Sequence, residues 1–340
     1  MVAKRISASD VAQKAGVSRT TVSFVLNNTP GKGVSEDTRQ KVLKIAAELN
    51  YTPNEGARSL ALLKHHSIGI FICHTHFVFS DAYIVRLIEG MSQELNRHRI
   101  QLVIQSVRLD QSNYLQLARQ DNVDGIILLN THDNDEGLAK VIEADFPLVV
   151  IGSLSDRTIC QVDIDNLVAA KKVTEHLISL GHKKIAMIIH ASIVYYAARM
   201  RYKGYREAME EAGLAVSKQW ICQGDFSEQS GYCAMQELLC AADSPTAVFA
   251  GNDMMAYGAV KAVKDAGMNI PSDISIAGFD DDFLSRYLNP PLTTMSLPAA
   301  GLGSTASRLL INCLLGKKPP KEKKIILPTH LSVRESCKTI

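Results

Sequence analysis

Residues 7–28 read SASDVAQKAGVSRTTVSFVLNN, and the reading of the whole chain works outward from this stretch. Ser7-Ala8-Ser9-Asp10 has the S-x-x-D form in which hydroxyl and carboxylate satisfy the free amides at a helix start. Val11, Ala12 and Ala15 follow on one face, and Gly16 stops the helix by allowing a positive φ. Ser18 can cap a second helix whose apolar side is Val22, Val25 and Leu26. A third helix, starting near Ser35, presents Val42, Ile45, Ala46 and Leu49 at helical spacing. Helix, turn at Gly16-Val17, helix is a helix-turn-helix, which lays its second helix in the major groove of DNA. By itself, a helix pair joined at a glycine is a common packing unit.

Charge supports the DNA reading. The 340-residue chain carries 37 Lys+Arg and 35 Asp+Glu, but residues 1–64 hold ten basic residues against five acidic ones. A basic head on a slightly acidic body suits a polyanionic partner. The length predicts two or three domains, and 46% hydrophobic content excludes disorder. No run of 18 apolar residues and no signal-like N-terminus is present, so neither a membrane span nor secretion is expected. Seven cysteines without a C-x-x-C pair argue against a disulfide framework or zinc ribbon and for a reducing cytoplasm.

The opening stretch, followed by VSEDTRQKVLKIAAELNYTPNEGARSLA (34–61), closely resembles the headpiece of the lactose-repressor (LacI/GalR) family of bacterial transcription regulators. The resemblance covers essentially the whole chain: SIGIFI, VDIDN, HLISLGHKKIAMI, GDFSEQSGY, GNDMMAYGAV, DISIAGFDD, PPLTTM and LSVRES follow in family order. It implies an α/β protein with a helix-turn-helix headpiece (1–52), a hinge helix and linker (53–66), and an effector-binding and dimerisation domain (67–340). That domain is of the type I periplasmic-binding-protein-like kind, with parallel sheets in two subdomains, about 67–165 with 296–325 and about 166–295 with 326–340.

The resemblance also assigns roles. Arg19 and Thr20 would read bases, Arg19 by forking onto guanine and Thr20 by its hydroxyl or a thymine methyl contact. Ser18, Thr21, Ser23 and Asn27 would hold phosphates. Phe24 stands where the family usually carries Arg or His, so a thymine methyl or sugar contact is expected there. Ala57 and Leu60 belong to the hinge helix, in which paired leucines wedge into the minor groove and kink it. Gly56 replaces the usual β-branched residue and predicts a weaker hinge helix.

In the body, apolar runs (Ser67–Cys73, 100–106, Gly125–Leu129, Leu148–Ile151, Ile185–Ile189, 247–249, 274–277) alternate with helical patterns such as 84–98, 167–180, 202–212 and 253–266. Such alternation predicts parallel sheets covered on both faces, with ligand at the C-terminal strand ends. Residues there match the family's effector contacts: Arg201 opening a helix, Asn252, Asp280, the aromatic Phe226, and Asp165 at the crossover. The first-strand loop is longer than usual and lacks the Asn-Pro-aromatic pair, which leaves Tyr83 as its aromatic contact.

Three other motifs lead elsewhere. Cys73-His74-Thr75-His76 lacks a fourth ligand and reads as polar cleft lining. Gly301-Leu302-Gly303-Ser304-Thr305-Ala306 has no preceding strand and reads as helix packing rather than a nucleotide site. Asp280-Asp281-Asp282 cannot converge on one ion unaided. No G-x-S-x-G, H-E-x-x-H or P-loop occurs, so neither catalysis, a metal nor a cofactor is expected. The expected partners are an operator duplex, a second copy of the chain (a homodimer or a tetramer) and a small effector, but no membrane. A sugar or sugar derivative is the first choice of effector; a purine or nucleoside is second, because QGDFSEQSGY looks close to the purine-repressor branch. The rival classes are a doubly wound sugar-processing enzyme, disfavoured by the basic head, and a solute-binding protein, which would have no helix-turn-helix.

Overall fold

The computed structural model describes residues 7–26, 34–49, 51, 67–73, 78–108, 112–317, 320 and 322–340. Asn27, Gly56, Ala57, Leu60, His74 and His76 lie outside them, as does the linker 53–66. The chain divides into two compact units, Met1–His65 and His66–Ile340.

The first unit holds α1 (Ala8–Ala15), α2 (Arg19–Leu26) and α3 (Glu36–Glu48). The capping box at Ser7 is formed: Asp10 N–H donates to Ser7 Oγ (3.3 Å) and Ser7 N–H to Asp10 Oδ2 (2.8 Å). Gly16 closes α1 at φ 66°. Ser18 Oγ accepts from Thr21 N–H (3.0 Å), and Ser35 caps α3. Val11, Ala12, Ala15, Val22, Val25, Val42, Ile45 and Ala46 form one small core. The exposed Lys14–Glu48 pair (3.1 Å) adds little to it.

In the second unit the described strands are β1 (Ser67–Cys73), β2 (Gln101–Val107), β3 (Gly125–Leu129), β4 (Leu148–Ile151), β5 (Cys160–Ile164), β6 (Ile185–Ile189), β7 (Ile221–Gln223), β8 (Ala247–Ala250), β9 (Ser275–Asp280), β10 (Thr293–Ser296), β11 (Lys324–Leu327) and β12 (His330–Ser332). They form two six-stranded sheets, ordered β11-β5-β4-β3-β1-β2 and β12-β10-β9-β8-β6-β7. Every pairing is parallel except β10 with β12. Helices α4 (Ala82–Arg97), α5 (Tyr114–Gln120), α6 (Glu136–Glu143) and α11 (Ala299–Leu314) cover the first sheet; α7 (Asn166–Ser179), α8 (Tyr196–Glu211), α9 (Glu228–Leu239) and α10 (Asp253–Asp265) cover the second. Strand alternation divides the apolar side chains: Ile68, Ile70 and Ile72 join the α4/α11 side, whereas Phe71 and Cys73 join the α5/α6 side. Burial on both faces is why these strands read as unbroken apolar runs.

The chain crosses between the lobes three times, after β5, after β10 and after β11. The third crossing corrects the expected boundary at 325/326. β11 pairs with β5 through Leu327, so the first lobe ends there, because Lys324-Ile325-Ile326-Leu327 extends the parallel register. The run Gly301–Ala306 lies inside α11, where a Cβ on Gly303 would meet the Leu87 carbonyl oxygen at 2.1 Å.

Helices α9 and α10 touch through glycine in the same way. A Cβ on Gly258 would lie 1.8 Å from the Glu228 carbonyl oxygen, and backbone cannot yield as a side-chain end can. Gly258→Ala is therefore expected to cost about 1–3 kcal/mol through overpacking, read as a Tm lower by roughly 2–12 °C. An unchanged Tm would contradict this contact.

Candidate functional site

The C-terminal ends of the parallel strands in both lobes face one another across a cavity of about 80 Å³. Residues at or just past strand ends line it: Asn130, Gly152, Asp163, His190, Asn252 and Asp280.

Arg201 is the hub. It sits in the second turn of α8, which begins at Tyr196; the expected start near Arg201 is corrected because Tyr195 and Ala198 are also buried and extend the helical face upstream. Its Nε donates to Asn166 Oδ1 (2.9 Å), its Nη1 donates to the Gly251 carbonyl (2.6 Å), and its guanidinium lies 3.8 Å over the Phe279 ring. Asn166 Nδ2 in turn donates to Asp163 Oδ1 (3.1 Å), and Asp163 Oδ2 accepts from Ser153 Oγ (2.7 Å). The network thus runs from the first lobe (Ser153, Asp163) into the second (Asn166, Arg201, Gly251). Arg86 bridges the lobes as well, donating from α4 to the Asp281 carbonyl (2.7 Å).

Burial sets the electrostatics. It raises the Asp280 carboxyl well above its ordinary value, opposed by Arg201, and it raises Asp163. Asp81, which caps α4, is raised to about 6 by burial and by Asp282 and Asp253. Burial together with the Arg201 charge holds His190 well below the ordinary imidazole value. Asp280 (φ 133°) and Phe226 (φ 74°) occupy backbone conformations that side chains other than glycine avoid, a strain that clusters at binding sites.

Of the effector residues named from sequence, the structure gathers Tyr83, Arg201, Phe226, Asn252 and Asp280 around the cavity. Asn252 is already engaged: it caps α10 by accepting from Met255 N–H (3.0 Å) and donates to the Phe226 carbonyl (3.1 Å). Phe226 stands edge-on to His190 (5.4 Å) and Tyr195 (6.0 Å). Asp165 is not in the cavity; it is exposed and caps α7 by accepting from Val168 N–H (3.0 Å). Asp163, two residues earlier and still within β5, is the buried aspartate that lines the cavity. Asp81, Asp163, Asn166 and His190 were missed by sequence reading. Only Asp163 and Asn166, inside VDIDN, carried a signal that could have found them. Cys73 is buried beside the Tyr114 hydroxyl (2.8 Å), with its thiol pushed up to about 12 by burial.

Beneath the cavity Asp253 accepts from Ser285 Oγ (2.6 Å), Thr294 Oγ1 (2.6 Å) and Asp282 N–H (2.9 Å), yet burial still raises it to about 6. The folded state therefore holds a proton that the unfolded chain releases near pH 4. This contribution to stability is complete below about pH 4 and lost as pH rises through about 6. Asp253→Asn should gain on the wild type by roughly 5–10 °C in Tm between pH 4 and pH 7. A Tm difference that stays constant with pH would contradict this.

In the headpiece, Ser18, Arg19, Thr20 and Ser23 are exposed, and Thr21 and Phe24 half-buried. Phe24 therefore stands outside the core of that unit.

A helix-turn-helix unit in one chain with a two-lobed body, whose strand ends surround a polar cavity, defines a DNA-binding regulator with a ligand-binding body. Residues 8–54 match the model of bacterial regulatory proteins of the lacI family, and residues 174–337 match that of periplasmic binding protein-like domains. The probable HTH-type transcriptional repressor ExuR of Bacillus subtilis (strain 168) is 33% identical, covering 98% of this chain and 99% of that one. Among solved structures, the transcriptional regulator CelR in complex with cellobiose is 31% identical with a TM-score of 0.73, covering 98% of this chain and 100% of CelR. The Lac repressor dimer bound to operator and the anti-inducer ONPF is 28% identical with a TM-score of 0.86, over the same shares. The chain belongs to the lacI family of bacterial regulatory proteins. It is a ligand-responsive, helix-turn-helix transcriptional repressor of that family. Among its described residues no helix is long and apolar enough to cross a membrane.

Proposed function

We propose that the protein binds a palindromic operator as a homodimer in the cytoplasm, performs no catalysis, and is controlled by a sugar or sugar derivative held between the lobes. The observation that carries this reading is the buried Arg201 network, which joins the two lobes at the strand ends. A ligand that displaces part of it changes the angle between lobes, and DNA affinity then changes by the coupling free energy, about 1–3 kcal/mol in allosteric proteins. The relative seen with cellobiose supports the sugar reading, and the repressor PurR of Haemophilus influenzae, 34% identical over 97% of this chain, keeps the purine alternative beside it. Ser18, Arg19, Thr20, Thr21, Ser23, Phe24 and Asn27 face the duplex in this reading, with Ala57 and Leu60 at the operator centre. Tyr83, Arg201, Phe226 and Asp280 face the effector, joined by Asp81, Asp163 and His190, while Asn252 holds the Phe226 loop.

Selection of bound duplexes from a random pool tests the DNA half. A palindrome with half-sites about one helical turn apart is the predicted result, and enrichment without symmetry would contradict the dimer reading. On the selected duplex Arg19→Ala is expected to weaken binding by about 1–2 kcal/mol and to relax preference at one base pair per half-site. A uniform loss across all sequences would make Arg19 a phosphate contact instead.

A further inference from the structure

Among the described residues, carboxyl groups outnumber cations around the cavity. Asp81, Asp163 and Asp280 line it, Arg201 brings the one guanidinium among the described lining residues, and Asp253 lies just beneath. Arg201 commits two of its five N–H donors to Asn166 and Gly251 and packs its face on Phe279, so the guanidinium is held in place by the protein's own groups. Among the described residues no side chain donates to the Asp280 carboxylate, and none pairs with the Tyr83 hydroxyl. His190 brings no compensating charge: it is 4% exposed, and its Nδ1 is buried without a hydrogen-bond partner. A buried polar atom without a partner is costly, and a ligand hydroxyl that meets it relieves that cost. An incoming carboxylate or phosphate, in contrast, would face three buried carboxyl groups that must repel it or stay protonated beside it.

We propose that the cleft selects a polyhydroxylated ligand without an anionic group, a neutral sugar or an amino sugar, and rejects sugar acids and sugar phosphates, with Asp81 and Asp163 setting the exclusion. The inference rests on the effector reading above and narrows its ligand class. Hydroxyl or ammonium protons are taken by the Asp280 and Asp81 carboxyl groups, Tyr83 supplies a hydroxyl, and His190 meets one further ligand group.

The full chain, titrated by calorimetry with gluco, galacto and manno sugars, each as aldose, 2-amino sugar, uronate and 6-phosphate, tests this. Within a series that binds, the aldose or amino sugar should bind at least about tenfold more tightly than the uronate or phosphate. Tighter binding of an acid or a phosphate than of its neutral parent overturns the proposal, as does failure of every aldose and amino sugar. Asp81→Asn keeps the α4 cap, since Asn caps as well as Asp, and with Asp163→Asn it should shrink the discrimination to about threefold or less. If the double variant does not fold, Asp81→Asn alone should reduce the discrimination, and an unchanged ratio in that variant counts against the proposal. Parallel operator titrations separate the two readings. An acid that binds and also shifts operator affinity defeats the charge rule alone. A ligand that obeys the charge rule but leaves operator affinity unmoved defeats the effector reading alone.

Discussion

Arg201→Ala is expected to lower the stability of the body by about 3–5 kcal/mol and to abolish its response to effector. The side chain is 7% exposed, and its loss strands Asn166 Oδ1 and the Gly251 carbonyl without their donor. It also removes the positive charge that opposes the upward shift of Asp280 and Asp163. Leaving buried carboxylates uncompensated is among the few single changes that reach such values. At about 2–4 °C per kcal/mol, Tm should fall by roughly 6–20 °C. The headpiece has its own core of Val11, Val22, Val42 and neighbours, so operator binding below the lowered Tm should persist. Retained ligand response in a folded Arg201→Ala protein would remove Arg201 from the site. A Tm unchanged from wild type would remove it from the network.

On the hinge reading proposed above, Leu60→Ala is expected to weaken specific operator binding by about 3 kcal/mol, or roughly 150-fold, because each protomer would lose one wedge. The minor-groove wedge returns, as added contact, the few kcal/mol spent on unstacking a base step. Weak, salt-sensitive binding to unrelated duplex depends on phosphate neutralisation by the basic head and should be nearly unaffected. Equal losses on operator and on unrelated DNA would end the wedge assignment. In the proposed hinge helix Gly56 would cost about 0.5–1 kcal/mol relative to Ala. Gly56→Ala should accordingly tighten operator binding.

The headpiece was legible because its signals are local. The Ser7–Asp10 box, the Gly16 stop and the apolar spacing along α3 each act within a few residues, and all three appear as read. Strands β1, β3, β4 and β6 were legible as runs of buried aliphatic side chains. β5 and β10 were not, since Cys160-Gln161-Val162-Asp163-Ile164 and Thr293-Thr294-Met295-Ser296 place polar residues where burial is complete. Their partners come from afar: Ser153 for Asp163, and Asp253 for Thr294. The same distance hid half of the cleft. His190 follows an ordinary buried strand, and Asp81 reads as a helix cap; only the approach of the two lobes turns them into lining. In VDIDN the two aspartates are indistinguishable by type, and only the strand end separates the inward Asp163 from the exposed cap Asp165.

The most direct test of the account is a titration of the full chain onto its selected operator at fixed salt, with and without a saturating ligand shown to occupy the cleft. The account predicts that the ligand changes operator affinity by about 5–150-fold and that Arg201→Ala erases the change while leaving a tight complex. An operator affinity indifferent to an occupied cleft would contradict it.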